Sequence, residues 1–344
     1  MAAAAAAAAA IVAVLLTFCS EIQGAPSNVS STYALLMPRV QPLSPETYLC
    51  TTVKLDEDQT YYIQGFKPNA TSNVAHHMLL YGCLTPGKME EVWDCGEMQG
   101  SSSHYKKGQI CGTGSQIIYA WAKDAPQLDL PEDIGFKVGQ DSEVKYLVLQ
   151  VHYLDVTKFI NGETDDSGVI LTYTETRMPK LAGVFMLGTN GYIAPNDIEH
   201  METACTITED IEMHPLAFRT HTHSLGTVVS GYKVNHLGKS HDKWVLLGKR
   251  NPQLPQMFFP VDDPSVLIKQ GDVLAARCTM VSNRNKITRI GPTSKDEMCN
   301  FYLLYWVEGP KTLDQKYCFS WGPPFWYWGQ FGLHNIPDKD ASKL

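Results

Sequence analysis

Tyr146-Leu147-Val148-Leu149-Gln150-Val151-His152-Tyr153-Leu154 reads as a single β-strand. It is dense in β-branched, aromatic and large apolar residues, and side chains alternate between the two faces of a strand. Leu147, Leu149, Val151 and Tyr153 therefore share one face, and Val148, Gln150, His152 and Leu154 share the other. Similar short runs follow at Val169–Thr174, Gly183–Leu187, Ala217–His223, Thr227–Val234, Trp244–Leu247, Val273–Met280 and Phe301–Val307, separated by Gly, Pro, Asn and Asp. No helical period persists over a dozen residues, so the expected class is all-β, with sandwiches favoured over barrels. A chain of 344 residues most readily makes two domains.

The formal net charge of -8 gives no basic footprint, which argues against nucleic acid as a partner. Nine alanines, then Ile11-Val12-Ala13-Val14-Leu15-Leu16 and a stretch of small and polar residues, read as a secretory signal peptide over residues 1–24, although the usual leading positive charge is missing. No later stretch is long and apolar enough to span a bilayer, so no transmembrane anchor is expected after signal removal. Cutting after Cys19 leaves Cys50, Cys83, Cys95, Cys111, Cys205, Cys278, Cys299 and Cys318, four in each half. An even set of cysteines in a secreted chain reads as disulfides. Asn28 and Asn69 head glycosylation sequons, in keeping with the same route.

Arg219-Thr220-His221-Thr222-His223 carries the chemistry. As a strand it turns Arg219, His221 and His223 to one face, and a second strand-like run, Met298 to Tyr302, turns Met298, Asn300 and Tyr302 to one face. Two imidazoles with a thioether suit copper, because zinc more often recruits thiolate, a third histidine or a carboxylate. Upstream, His76 and His77 are adjacent, so both can reach one metal only if the backbone bulges. Any one of these histidines alone is better read as a core or surface residue. Together they form a pattern, since the interval from His77 to His152 equals that from His223 to Met298. A linker between Glu175 and Leu181 divides the halves.

His76-His77, Leu149-Gln150-Val151-His152-Tyr153, Arg219 with His221-Thr222-His223, and Met298-Cys299-Asn300 with Tyr302 resemble the motifs of the peptidylglycine alpha-hydroxylating monooxygenases, within the ascorbate-dependent type II copper monooxygenases. The resemblance runs from about Met37 to about Pro310, with the motifs in family order. It implies two tandem antiparallel, jelly-roll-like β-sandwich domains facing across a solvent-filled cleft, here residues 34–176 and 181–335. It implies an electron-transfer copper on His76, His77 and His152, and a catalytic copper on His221, His223 and Met298. It also implies disulfides Cys50–Cys95, Cys83–Cys111, Cys205–Cys318 and Cys278–Cys299.

The activity implied is hydroxylation, with dioxygen as co-substrate and ascorbate as reductant, of the α-carbon of a C-terminal glycine in peptides, the first step of C-terminal amidation. Arg219 then acts as a carboxylate clamp, because a guanidinium is a planar fork that pairs bidentately with a carboxylate. Asn300 and Tyr302 supply further hydrogen bonds. The residues after the resemblance leave no room for a lyase domain, so a monofunctional enzyme with a separate lyase acting on its product is expected, in the secretory pathway. Two other readings use the same residues. A related monooxygenase acting on a phenethylamine would share both metal sets but leave Arg219 without a role. A secreted, non-catalytic copper-binding protein would not need all six ligand positions filled.

Overall fold

The computed structural model describes residues 30–96, 104–235 and 241–344. The leader assigned to residues 1–24, Cys19 and the Asn28 sequon lie outside these segments. Within them the ordered elements are almost all strands, and the helices Thr157–Ile160 and Asp338–Ala341 are single turns. Each run singled out above lies on a strand, although His223 falls one residue beyond His214–Thr222 and Met298 one residue before Cys299–Glu308.

Two sandwiches share one sheet. A 10-stranded sheet passes through Ser31–Leu36, Gly168–Thr174, Thr60–Asn69, Ile134–Gly139, Lys180–Thr189, Cys299–Glu308 and His214–Thr222. A 5-stranded sheet built on Thr47–Lys54, Tyr146–Tyr153, His77–Cys83 and Gln116–Ala122 packs on its first half. A 4-stranded sheet of Ile198–Thr206, Val273–Val281, Gly226–Asn235 and Lys243–Arg250 packs on its second half. The halves join where Ile134 and Gly135 pair in parallel with Lys180 and Leu181, just after the expected linker. Disulfides Cys50–Cys95 and Cys83–Cys111 tie the first half, and Cys205–Cys318 and Cys278–Cys299 cross the second sandwich. Asn69 lies exposed at the end of its strand.

Alternation decides which side chains meet between the halves. In Cys299–Glu308, Phe301, Leu303, Tyr305 and Val307 enter the second sandwich, while Tyr302 and Leu304 face the first half. Lys180–Thr189 divides the same way, with Leu181, Phe185 and Leu187 inward and Ala182, Val184 and Met186 toward the first half. Each large apolar chain buried here contributes roughly 1.5–3 kcal/mol. A one-residue slip would therefore exchange that core for Asn300, Tyr302, Arg219 and His221, which is why the register is fixed. The aromatic tail closes the far face of the 4-stranded sheet, burying Trp328, Leu333 and Ala341. Buried Arg277 anchors it by pairing with Glu202 and Asp338, with its guanidinium 4.6 Å from the Trp328 ring centre.

On the face opposite Arg219, Asn300 and Tyr302, Phe218 and Phe301 stack with ring centroids 5.7 Å apart and planes 7° apart. Gly231 and Gly248 make room for them. A Cβ on Gly231 would lie 2.2 Å from Phe301 Cζ, and one on Gly248 would lie 2.1 Å from Phe218 Cε1. Gly231→Ala should therefore cost about 1–3 kcal/mol by overpacking. The check is the urea midpoint at unchanged m-value, and an unmoved midpoint would mean that the Phe301 ring is not held against Gly231.

Candidate metal centres

The first histidine set is assembled by cross-strand registry. His152 and His77 are direct partners on adjacent antiparallel strands, so their side chains share a face. His76, just before its strand, is brought in by a hydrogen bond from its backbone N–H to the His152 carbonyl, 2.9 Å. The three rings place one nitrogen each within 4.8 Å of one another. The Nδ1 atoms of His76 and His77 stand 3.3 Å apart, an interval compatible with two nitrogens each about 2 Å from one ion.

Burial keeps these imidazoles neutral. It lowers the pKa of His76 to about 4, assisted by neighbouring His152 and His223, and holds His77 well below the ordinary value. His152 is also lowered by burial, against the opposing effect of its hydrogen bond to Glu46. Its Nε2 lies 2.9 Å from Glu46 Oε2, and its ring stacks on Tyr48 at 4.0 Å. Nδ1 of the same ring is buried with no hydrogen-bond partner. An orphaned ring nitrogen in a cluster of neutral imidazoles is the donor set a copper ion takes.

The second set has its ring nitrogens sorted by the protein. His221 Nδ1 lies 2.7 Å from Gln256 Oε1, and Gln256 Nε2 faces the carbonyls of Pro252 and Thr222, so the amide oxygen points at the ring. His223 Nδ1 lies 3.1 Å from the Asp296 carbonyl. Both acceptors require Nδ1–H, which leaves Nε2 of each ring free for a metal. Asn300, the cross-strand partner of His221, donates weakly to Met298 Sδ at 4.0 Å, which brings the thioether to the same edge. Glu297, fully buried, accepts from the backbone N–H of His223 at 2.9 Å and of Leu225 at 2.6 Å, locking the His223 turn to the segment that carries Met298. Two imidazoles with a thioether again fit copper.

The five histidines of the two sets line one pocket of about 220 Å³ with Lys123, Gln253, Pro292 and Ser294, while Met298 lies outside its lining, and the His77 and His221 ring centres are 6.0 Å apart. The cleft between the sandwiches is therefore narrow at the histidines. Behind His221, Arg219 is 2% exposed. Its Nε donates to the Gln256 carbonyl at 2.9 Å, Nη2 reaches Gln256 Oε1 at 3.3 Å, and Tyr302 lies under the guanidinium at 5.1 Å. Asn300 Nδ2 completes the group, 3.4 Å from the Tyr302 hydroxyl. Among the described residues no carboxylate pairs with Arg219. His214 stacks on Trp306 with ring centroids 3.8 Å apart.

The family model for the copper type II ascorbate-dependent monooxygenase N-terminal domain matches residues 33–159, and that for its C-terminal domain matches residues 180–331. The chain belongs to the copper type II ascorbate-dependent monooxygenases. The chain is 37% identical over 316 residues to peptidyl-glycine alpha-amidating monooxygenase B of Xenopus laevis, covering 91% of this chain and 34% of that protein. It is 39% identical over 290 residues to the Mus musculus peptidyl-glycine alpha-amidating monooxygenase, covering 83% and 28%. Dopamine beta-hydroxylase of Canis lupus familiaris is 26% identical over 279 residues, covering 77% and 44%. The chain thus spans about a third of the length of the amidating relatives it matches.

Gln256, Glu297 and Glu46 were not singled out in the sequence, since each acts from a loop or strand end where no periodicity marks it. Gln256 holds both Arg219 and His221, so Gln256→Ala should weaken copper binding at the second set by about 10- to 100-fold and leave the first set unchanged. Copper titration against a competing chelator, following each equivalent separately, checks this. Equal weakening at both sets would mean that the substitution disturbs the fold.

Proposed function

We propose that this chain hydroxylates the α-carbon of the C-terminal glycine of peptides, with one copper held by His76, His77 and His152, a second held by His221, His223 and Met298, and ascorbate and dioxygen consumed. The carrying observation is Arg219, a buried cation two residues from His221 on the same strand face and, among the described residues, without a counter-charge. Burying an unpaired cation is costly, and a carboxylate arriving with the substrate removes that cost while gaining charge-assisted hydrogen bonds.

The arrangement works as a positioning device. Arg219 and Tyr302 grip the peptide's terminal carboxylate, and Asn300 lies between that grip and Met298. The carbon attached to the carboxylate is then delivered toward His221 and Met298, an orientation effect that can contribute several kcal/mol to lowering the barrier. Gln256 keeps both the guanidinium and the His221 ring in place. Bound copper supplies the one-electron chemistry toward dioxygen that no side chain provides. An amine substrate of the phenethylamine type would leave Arg219 unmatched, and the lower identity to dopamine beta-hydroxylase agrees with that preference. A non-catalytic copper protein would need neither the clamp nor the thioether.

The two copper domains are taken as residues 34–176 and 181–335, with Asn28 and Asn69 as glycosylation sites. Four disulfides fit an oxidising compartment, and among the described residues no helix is long and apolar enough to cross a membrane. The disulfides support a place in the secretory pathway, where a lyase would cleave the hydroxyglycine product.

Met298→Leu should abolish turnover at a stability cost under about 1.5 kcal/mol, because Leu approximates the shape of Met but offers no sulfur. Near-normal hydroxylation by this variant would make Met298 a packing residue. For Arg219→Gln, kcat/KM on a glycine-extended peptide should fall at least about ten- to a hundredfold, as expected for losing one or two charge-assisted hydrogen bonds. The same peptide ending in a carboxamide should already be poor with the wild type and lose little more. Equal losses on the two substrates in this double cycle would show that Arg219 supports the site without holding the carboxylate.

A further inference from the structure

Glu46 lies in the turn before strand Thr47–Lys54 with φ at 61°, a left-handed backbone conformation that a non-glycine residue adopts only when its surroundings impose it. Two contacts from this short segment hold the His152 ring. Glu46 Oε2 meets Nε2 at 2.9 Å on the ring edge, and Tyr48, two residues on, stacks on the ring face at 4.0 Å with planes 5° apart. An ionised carboxylate can only accept, so Nε2 carries the proton and Nδ1 is left as a bare lone pair. That nitrogen is the buried, unpartnered one, and it belongs to the cluster with His76 and His77.

The other end of the same contact reaches the second half of the molecule. Ser294 lies close enough to the Glu46 carboxylate to help His152 lower its pKa to about 2, and the Tyr48 hydroxyl donates to the Pro292 carbonyl at 2.9 Å. Residues 292–298 are the segment whose Asp296 carbonyl holds His223 and whose end is Met298.

We propose that Glu46 is a positioning residue for the first metal set: its carboxylate fixes the His152 ring with Nδ1 turned to His76 and His77, and it acts through that ring without touching the metal. The proposal rests on the reading of His76, His77 and His152 as ligands of one ion. A carboxylate on the remote nitrogen of a ligating imidazole fixes its tautomer and raises its basicity, and losing such a partner typically weakens metal binding 10- to 100-fold. The contact with Ser294 carries the same carboxylate to the Met298 segment, and it is separable from the contact with His152.

The test uses the full chain with His221→Ala and His223→Ala, so that one copper equivalent titrates at the first set. Cu(I) affinity is measured by chelator competition and the Cu(II) site by electron paramagnetic resonance. Glu46→Ala should weaken binding at least tenfold and change the copper hyperfine splitting, with Glu46→Gln between it and the parent. Ser294→Ala, which leaves the His152 contact intact, should stay within about twofold of the parent. Should Glu46→Ala fail to fold, Glu46→Gln carries the test alone. Parental affinity and spectrum in the Glu46 variants would overturn the proposal. A loss with Ser294→Ala equal to that with Glu46→Ala would also overturn it, making Glu46 a strut between the halves. A parent that binds no copper at the first set would instead overturn the ligand assignment itself.

Discussion

The two-residue period of the shared sheet is the constraint on which everything else rests. One face of Lys180–Thr189, Cys299–Glu308 and His214–Thr222 must carry Phe185, Phe301, Leu303 and Phe218 into the second sandwich. The opposite face is thereby fixed toward the first half, and Arg219, His221, Asn300 and Tyr302 occupy it. The apolar core and the polar site are two readings of one register, so neither can shift without the other.

Hydrogen-bond direction supplies the second level of control. Carbonyl and amide oxygens take Nδ1–H of His221 and His223, while a carboxylate takes Nε2–H of His152. The two sets therefore offer opposite ring nitrogens. The acceptors Gln256, Asp296 and Glu46 all lie outside the strands, so the orientation of these rings is governed by loop segments distant in sequence from the histidines.

The strands were legible because short runs of β-branched, aromatic and large apolar residues are bounded by Gly, Pro, Asn and Asp, as at Tyr146–Tyr153, which is buried on both faces. The six metal-ligand candidates were legible because imidazole and thioether are rare, chemically distinct groups placed at repeated intervals. Adjacent His76 and His77 were the doubtful pair on strand geometry alone, and the bond from His76 to the His152 carbonyl shows how the chain brings both rings to one side. The bracing residues were illegible for a physical reason. A Gln in Asn251-Pro252-Gln253-Leu254-Pro255-Gln256 or a Glu after Pro45 has no local pattern to set it apart, and its role appears only when distant segments close on it. The narrowness of the cleft is likewise a tertiary property, since it depends on how Tyr48 and Glu46 meet residues 292–294.

The parallel pairing of Ile134 and Gly135 with Lys180 and Leu181 gives the molecule a topology that a cut at the linker would not respect. Separated there, each half would present a strand end with unpaired backbone N–H and carbonyl groups, and the first half would also bare the apolar faces of Ile118 and Ala120, which share a core with Val184 and Met186 of the second. Sheet edges of this kind recruit strands from other chains. The two halves are thus each other's edge protection, and the seam that brings their histidine clusters together also keeps either one from acting as a template for aggregation.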